Sequence, residues 1–331
     1  MGLNRKYIVL ALAVALGVSS TSGASAQRRE HRSHSEAAVS SSNCYDPSDP
    51  TKLRLWDGEA PGAVGNDPCR DIPYMQVFRP SGRERSSSPA ILIIPGGGYD
   101  RLTDIKEQAP VAEYFARTFH VTAFVLYYRL VQHDGTYRYP VAMWDGQRAV
   151  KLIRSRTSQL GIDPQRVALF GFYAGGHLAS TLTLHSATDF GLPRHDEVDR
   201  ENSRPNLLGL GYPVISMDPT AVPPSGSYRN LLRGFAGPEL KQLQNYLSGE
   251  KNVTDRTPPV FLFESKDDAV ISPENSVLFI DALKAHGIPI DAHIFAHGKH
   301  GSGLATDEPE ESVWPTMFGQ WLTDQRFLSV R

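Results

Sequence analysis

Past residue 50 the chain alternates two hydrophobic patterns. Short runs rich in β-branched and aromatic residues at 75–78, 90–94, 121–128, 167–171, 207–215, 260–264 and 290–295 read as strands. Between them, segments 110–119, 143–156, 176–185, 273–285 and 313–324 carry apolar residues three and four apart, the spacing of one helix face. Strands that alternate with helices imply right-handed crossovers, a mostly parallel central sheet and helices on both of its faces. No repeat or low-complexity linker interrupts the alternation, so one α/β domain over 51–331 is expected. The polar stretch 189–205 reads as a loop, and 226–249 as a short helical insertion placed to cover one edge of a site.

The first 50 residues break that pattern. Arg5 and Lys6 precede an apolar run from Tyr7 to Gly17, and small residues lead to Ala24-Ser25-Ala26; this is the order of a secretory signal over 1–26. The run is too short for the roughly 20 apolar residues a membrane-spanning helix needs, so no span is expected once the signal is removed, and the expected location is periplasmic or secreted. Residues 27–50 are polar and without period, and read as a flexible mature N-terminus in which His31 and His34 are solvated rather than metal-binding.

Composition narrows the function. The 331 residues are 40% hydrophobic and 21% charged, enough for a large core. Removal of Arg5 and Lys6 with the signal moves the balance from 34 basic against 36 acidic residues to 32 against 36, which gives no basic excess for a nucleic-acid partner. The two cysteines, Cys44 and Cys69, cannot form a disulfide framework, but export to an oxidising compartment favours a single bridge between them over two free thiols.

The chemistry centres on Gly171-Phe172-Tyr173-Ala174-Gly175-Gly176, where a strand turns directly into a helix. The spacing is that of the nucleophile elbow G-x-S-x-G, whose glycines permit a strained turn that lifts the central side chain above the sheet. Here the central residue is Tyr173. Upstream, Pro95-Gly96-Gly97-Gly98-Tyr99 comes directly after a strand, so Gly97 and Gly98 can present backbone N–H groups, with that of Ala174, to a developing oxyanion. Downstream, Asp267 and Asp268 end one strand and His300 lies beyond another; elbow, acid, histidine is the chain order of the α/β-hydrolases. A histidine supplies a base near working pH, and a carboxylate fixes its tautomer, roles that suit His300 and Asp267.

Several blocks in order carry a resemblance: LRLWDGEAPGA from Leu53, IIPGGGYDRL from Ile93, AMWDGQRAVKLIRSR from Ala142, GIDPQRVALFGFYAGGHLAS from Gly161, YPVISM from Tyr212, TPPVFLFESKDDAVISPENS from Thr257 and HIFAHGKHGSGLA from His293. Over Leu53 to Leu322 the chain resembles exported α/β-hydrolase-fold esterases related to bacterial acetylxylan esterases and feruloyl-esterase-like enzymes. Their elbow motif, G-F-S-A-G-G-H, is matched at Gly171, Phe172, Ala174, Gly175, Gly176 and His177 and departs only at Tyr173. The resemblance implies an α/β-hydrolase fold, a small-molecule or carbohydrate ester as substrate, deacetylation in a serine form, no metal or organic cofactor, and Asp267 as the acid with Asp268 as the alternative. It carries no expectation about oligomeric state.

Tyrosine at the elbow conflicts with that chemistry. Its phenol oxygen lies several ångströms beyond a serine hydroxyl, so it cannot use the same oxyanion geometry, and its ring takes space meant for the acyl group. With an ordinary pKa near 10 it is a poor nucleophile at neutral pH. The expectation is a disabled ester hydrolase; the alternatives are a non-catalytic protein that binds an acylated glycan or other ligand, and a tyrosine nucleophile. Among other residues, His293, His297 and His300 lack the pattern of a zinc site. His177 reads as a packed or hydrogen-bonding side chain, Asp145 with Arg148 as a structural polar pair, and Glu107 as either a gate or a surface charge. Tyr127 and Tyr128 read as core or rim residues, and Tyr99 stays open as a surface on which a sugar could stack.

Overall fold

A computed structural model describes residues 43–80, 87–103 and 105–328, all within one compact unit, Val39–Arg331. The signal segment, most of the N-terminal tail, His31 and His34 lie outside the described residues. Eight strands, β1 (Lys52–Arg54), β2 (Tyr74–Phe78), β3 (Ser88–Ile94), β4 (Thr122–Tyr127), β5 (Ile162–Phe172), β6 (Leu207–Gly211), β7 (Val260–Ser265) and β8 (Ile290–Phe295), form one sheet in the order β1-β2-β4-β3-β5-β6-β7-β8. From β4 onward every pairing is parallel, and only the β1–β2–β4 edge is antiparallel.

Helices α1 (Ala109–Tyr114), α2 (Val141–Ser155), α3 (Thr157–Leu160), α4 (Tyr173–Leu184), α5 (Gly226–Leu231), α6 (Gly237–Leu247), α7 (Glu274–Ala285) and α8 (Trp314–Asp324) supply the crossovers and the insertion. Parallel strands covered on both faces lose the alternation of a half-exposed strand, and every residue of β3, β4, β6 and β7 is buried. Aromatic rings fill the space beneath the last helix. Trp314 stacks on Phe263 at 4.6 Å and on Phe170 at 5.1 Å, and Phe318 meets Phe170 edge-on at 4.9 Å.

Cys44 and Cys69 are joined in a disulfide across a separation of 25 residues, which fastens the first described turn beside β1. In the chain-entropy model a closed loop of that length contributes about 3 kcal/mol.

The structure departs from the sequence expectation in instructive places. The edge strand β1 is missed because three residues show no period. The run at 207–215 is strand only to Gly211, since Tyr212 turns to a φ of 35° and the segment after it bends toward the elbow, where the Val214 N–H donates to the Tyr173 carbonyl. Asp145 and Arg148 are not partners. Asp145 takes the Arg129 guanidinium at 2.6 Å, both buried, while Arg148 reaches Asp196 at 2.6 Å and Asp199 at 3.1 Å. Successive turns of α2 thus pin two different loops.

Candidate active site

The elbow forms because two glycines allow a close approach that no side chain permits. A Cβ on Gly171 would sit 2.3 Å from the Gly175 carbonyl oxygen, and one on Gly175 would sit 2.0 Å from that of Ile94. Between them Tyr173 is held at a φ of 49°, a left-handed conformation costly for any non-glycine residue and typical of a strained elbow. The helix begins at Tyr173 itself, three residues before the expected start, so the elbow residue and Ala174 form the first turn of α4 and their N–H groups point out of its N-terminus.

On the neighbouring strand end, Gly97 adopts a φ of 114° and Gly98 one of 69°, and a Cβ on Gly97 would strike the Arg101 carbonyl at 2.2 Å. The loop is pinned from both sides. Its Gly96 N–H donates to Glu107 Oε2 at 2.7 Å, and the Asn230 amide of α5 donates to the Gly98 carbonyl at 2.8 Å. Gly96 and Gly98 border the elbow side chain, with Cβ positions 2.8 Å from the Tyr173 Cβ and 3.6 Å from its hydroxyl; Gly97 lies between them and Ala174 follows Tyr173 in the chain.

The structure corrects the acid. His300 Nδ1 pairs with Asp268 Oδ2 at 2.7 Å, and the Asp268 carboxylate is buried, its second oxygen accepting from the N–H groups of Val270 and Ile271 at 2.7 and 2.9 Å. Asp267 points the other way. It meets the exposed His297 at 2.9 Å and the Gly298 N–H at 2.9 Å, so it does not reach His300. With Nδ1 committed to Asp268, Nε2 of His300 is the nitrogen left to serve the elbow residue.

Where a serine hydroxyl would meet that nitrogen there is instead an aromatic ring. Tyr173 and His300 lie edge to face with ring centroids 4.6 Å apart, and the phenol makes no hydrogen bond to the imidazole. The phenol oxygen reaches past the oxyanion loop to α5, 3.6 Å from a Cβ position on Gly98 and 3.3 Å from one on Gly226. Burial raises the phenol pKa above its ordinary value and Asp100 adds to this; Arg101, Arg229 and the hydroxyl of Ser227, which makes no bond of ordinary geometry, act in the opposite sense. The ring itself is buried, packed between His300 and the first turn of α5.

Glu107 proves to be neither gate nor surface charge. It is fully buried, takes the Gly96 N–H on one oxygen and the Tyr212 hydroxyl, at 3.0 Å, on the other. Tyr212 in turn accepts from the Gly303 N–H at 3.1 Å, on the loop that carries His300. One carboxyl therefore joins the oxyanion loop to the histidine loop. Leaving a buried donor unpaired costs about 1–3 kcal/mol, so Glu107→Ala, which orphans two donors, is expected to lose at least about 2 kcal/mol in urea titration. Glu107→Gln, which retains an acceptor, should lose less.

Two more buried carboxyls lie at the end of β7 and beside the histidine loop. Desolvation pushes Glu264 up to about 8 and Glu311 up to about 7, and nearby Asp268 adds to both. The folded chain thus retains protons that the unfolded chain releases near pH 4.5. The stability these groups contribute is complete below about pH 4.5 and is lost as pH rises through about 7 and 8. Thermal melts between pH 5 and 9 should show a falling Tm over that window, and Glu264→Gln should flatten the fall; an unchanged slope would remove Glu264 from the account.

The remaining sequence readings resolve in the core. His177 is fully buried between the Tyr99 hydroxyl at 2.7 Å and the Leu247 carbonyl at 2.8 Å, and desolvation lowers its pKa to about 4, so it stays neutral. Tyr99 is buried and offers no face to a sugar, while Tyr127 and Tyr128 are core residues whose hydroxyls bond Gln108 and the Pro95 carbonyl. Among the described residues no group of three histidine, cysteine or acidic side chains is placed to hold a metal ion.

With the geometry in hand, comparison gives the class. The BD-FAE family model matches residues 75–283, and the chain belongs to that family. It is 35% identical over 221 residues to endo-1,4-beta-xylanase B of Butyrivibrio fibrisolvens, covering 66% of this chain and 33% of the relative. It is 29% identical over 242 residues to an acetylxylan esterase of Xylanibacter ruminicola, covering 72% of this chain and 46% of that one. The chain therefore spans less than half the length of either relative. Among solved structures, an acetyl ester-xyloside bifunctional hydrolase from Caldicellulosiruptor lactoaceticus superposes with a TM-score of 0.74 at 34% identity, over 84% of this chain and 97% of the other. A carboxylesterase from Lactobacillus plantarum, at 24% identity and a TM-score of 0.66, shares the fold. The fold is that of the α/β-hydrolases, and the family is one of carboxylic ester hydrolases.

Proposed function

We propose that this chain is the frame of an exported ester hydrolase for acylated polysaccharide, and that Tyr173 blocks its acyl-transfer step. The observation that carries the reading is the pairing of a buried Asp268 with His300 beside a pinned oxyanion loop, with only the nucleophile position occupied by the wrong side chain. The names of the relatives, a xylanase, an acetylxylan esterase and an acetyl ester-xyloside hydrolase, support an acetylated xylan as the substrate class.

In a serine form the hydroxyl oxygen would attack the ester carbonyl while His300 Nε2 takes its proton. N–H groups of Gly97, Gly98 and Ala174 would hold the oxyanion. Collapse expels the sugar alkoxide oxygen, which takes the proton from His300 and leaves as a hydroxyl, and water activated by the same histidine then releases acetate. Tyrosine interrupts the first step, since its phenol is buried, un-ionised at neutral pH and turned away from His300. The Arg5-Lys6 leader, the apolar run behind it and the Cys44–Cys69 bridge support export. A second reading, a protein that binds the glycan without cleaving it, is favoured by the same buried ring. Acetate release from acetylated xylan by the Tyr173→Ser variant tests the first reading: release supports it, and its absence, with the variant folded, favours the second.

A further inference from the structure

A groove of about 910 Å³ runs along α6 on the same insertion that walls the elbow, lined by Tyr139, Phe235, Gln242, Leu243, Asn245 and Tyr246 among others. None of these residues takes part in the ester chemistry. We propose that this groove is a binding subsite for a neutral polysaccharide chain, seating pyranose rings of the polymer. The choice of ligand rests on the reading given under Proposed function; the groove's chemistry is independent of it.

Sugar rings present C–H faces that pack on aromatic rings and hydroxyls that need fixed donors and acceptors, so a sugar subsite combines rigid aromatic faces with amides. Both are present. Tyr246 is backed on one side by His185, stacked with centroids 4.0 Å apart, and His185 Nε2 is bonded to the Tyr246 carbonyl at 2.7 Å, so the phenol ring is held in place. Phe235 lies edge-on to Tyr139 at 6.4 Å and is braced by the Arg138 guanidinium 4.5 Å from its centroid. Of the amides, Gln242 is exposed and makes no side-chain hydrogen bond among the described residues, and the Asn245 side chain accepts from Lys251 at 3.0 Å.

Charge narrows the occupant further. The lining carries one acid, Glu239, and one base, Lys251, and the base is neutralised by Asp218 at 2.5 Å. With the base so engaged, the charge left on the lining is the acid Glu239, and nothing there selects a phosphate or a uronate over a neutral sugar. A volume of this size lies within the range of small-ligand sites, about 300–1,000 Å³.

Continuity with the elbow comes through α5. The Tyr139 N–H donates to the Leu231 carbonyl at 3.3 Å, and the adjacent Asn230 donates to the Gly98 carbonyl of the oxyanion loop at 2.8 Å. A chain held on α6 is thereby tied to a fixed position relative to the oxyanion loop.

The test uses xylohexaose and the full chain as it stands, by calorimetric titration, with no turnover required. The native protein should bind the hexaose, Tyr246→Ala should weaken binding at least tenfold, and Gln242→Ala, an exposed change that leaves the fold unthreatened, should weaken it severalfold. Failure of the native protein to bind, or binding unchanged in both variants, overturns the groove. Hydrolysis of a small aryl acetate by Tyr173→Ser, run alongside, separates the two claims. Ester cleavage without hexaose binding leaves the esterase reading standing and removes the groove, and Tyr246-dependent binding without ester cleavage does the reverse.

Discussion

Tyr173→Ser is expected to raise the hydrolysis of a small aryl acetate by at least several hundredfold over the chain as it stands. The substitution places a hydroxyl on the elbow beside His300 and removes a buried ring that packs on the imidazole, while leaving the left-handed turn, the glycines and the Asp268–His300 pair untouched. Each preorganised oxyanion donor contributes about 10²–10³ in kcat in serine hydrolases, and those donors do nothing for catalysis while no tetrahedral centre can form near them. Steady-state kinetics on the purified variant decides the matter. Should the folded variant gain nothing, the pocket has been remodelled beyond the nucleophile. Should the unaltered chain already turn over, and Tyr173→Phe abolish it, the phenol itself is the nucleophile and the block does not exist.

The second large effect separates the two adjacent aspartates. In the Tyr173→Ser background, Asp268→Asn should lower kcat by about 10⁴, the loss seen when the orienting acid of a serine triad becomes an amide and the histidine takes the wrong tautomer. Asp267→Asn should change kcat by no more than a few fold, because its partner is the exposed His297. The paired measurement is a direct check, since both substitutions remove one charge at neighbouring positions and differ only in which histidine loses its partner. Equal losses would mean that charge near the loop matters more than orientation of His300.

The alternating patterns make seven of the eight strands, the main helices and the strand ends that carry the elbow, the oxyanion loop and His300 legible in the sequence; only the three-residue edge strand β1 escapes them. The acid is not legible there. Asp267 and Asp268 both sit in the turn after β7, and either could bond a backbone N–H two residues on; which one faces His300 depends on where the strand ends relative to the sheet, a one-residue matter of register. Glu107 was equally hidden. It lies in a short 3-10 turn between polar residues, and its burial arises from Tyr212 and Gly96, contacts made across 105 and 11 residues. The partners of Asp145 and Arg148 are hidden for the same reason: on a helix buried along most of its length, neighbouring charges are drawn to separate loops.

The Glu107 link between two loops bears on how the site around Tyr173 is held together. Gly96, Glu107, Tyr212, Gly303 and Trp314 form one chain of hydrogen bonds, ending at the Trp314 indole that donates to the Gly303 carbonyl at 3.0 Å and packs among Phe170 and Phe263. The scaffolding of the oxyanion loop and of the histidine loop is part of the core, so selection for folding alone suffices to hold both in place. A well-formed apparatus around Tyr173 is therefore no record of recent catalysis. It also means that the loops a Tyr173→Ser chain would need are already built into the fold.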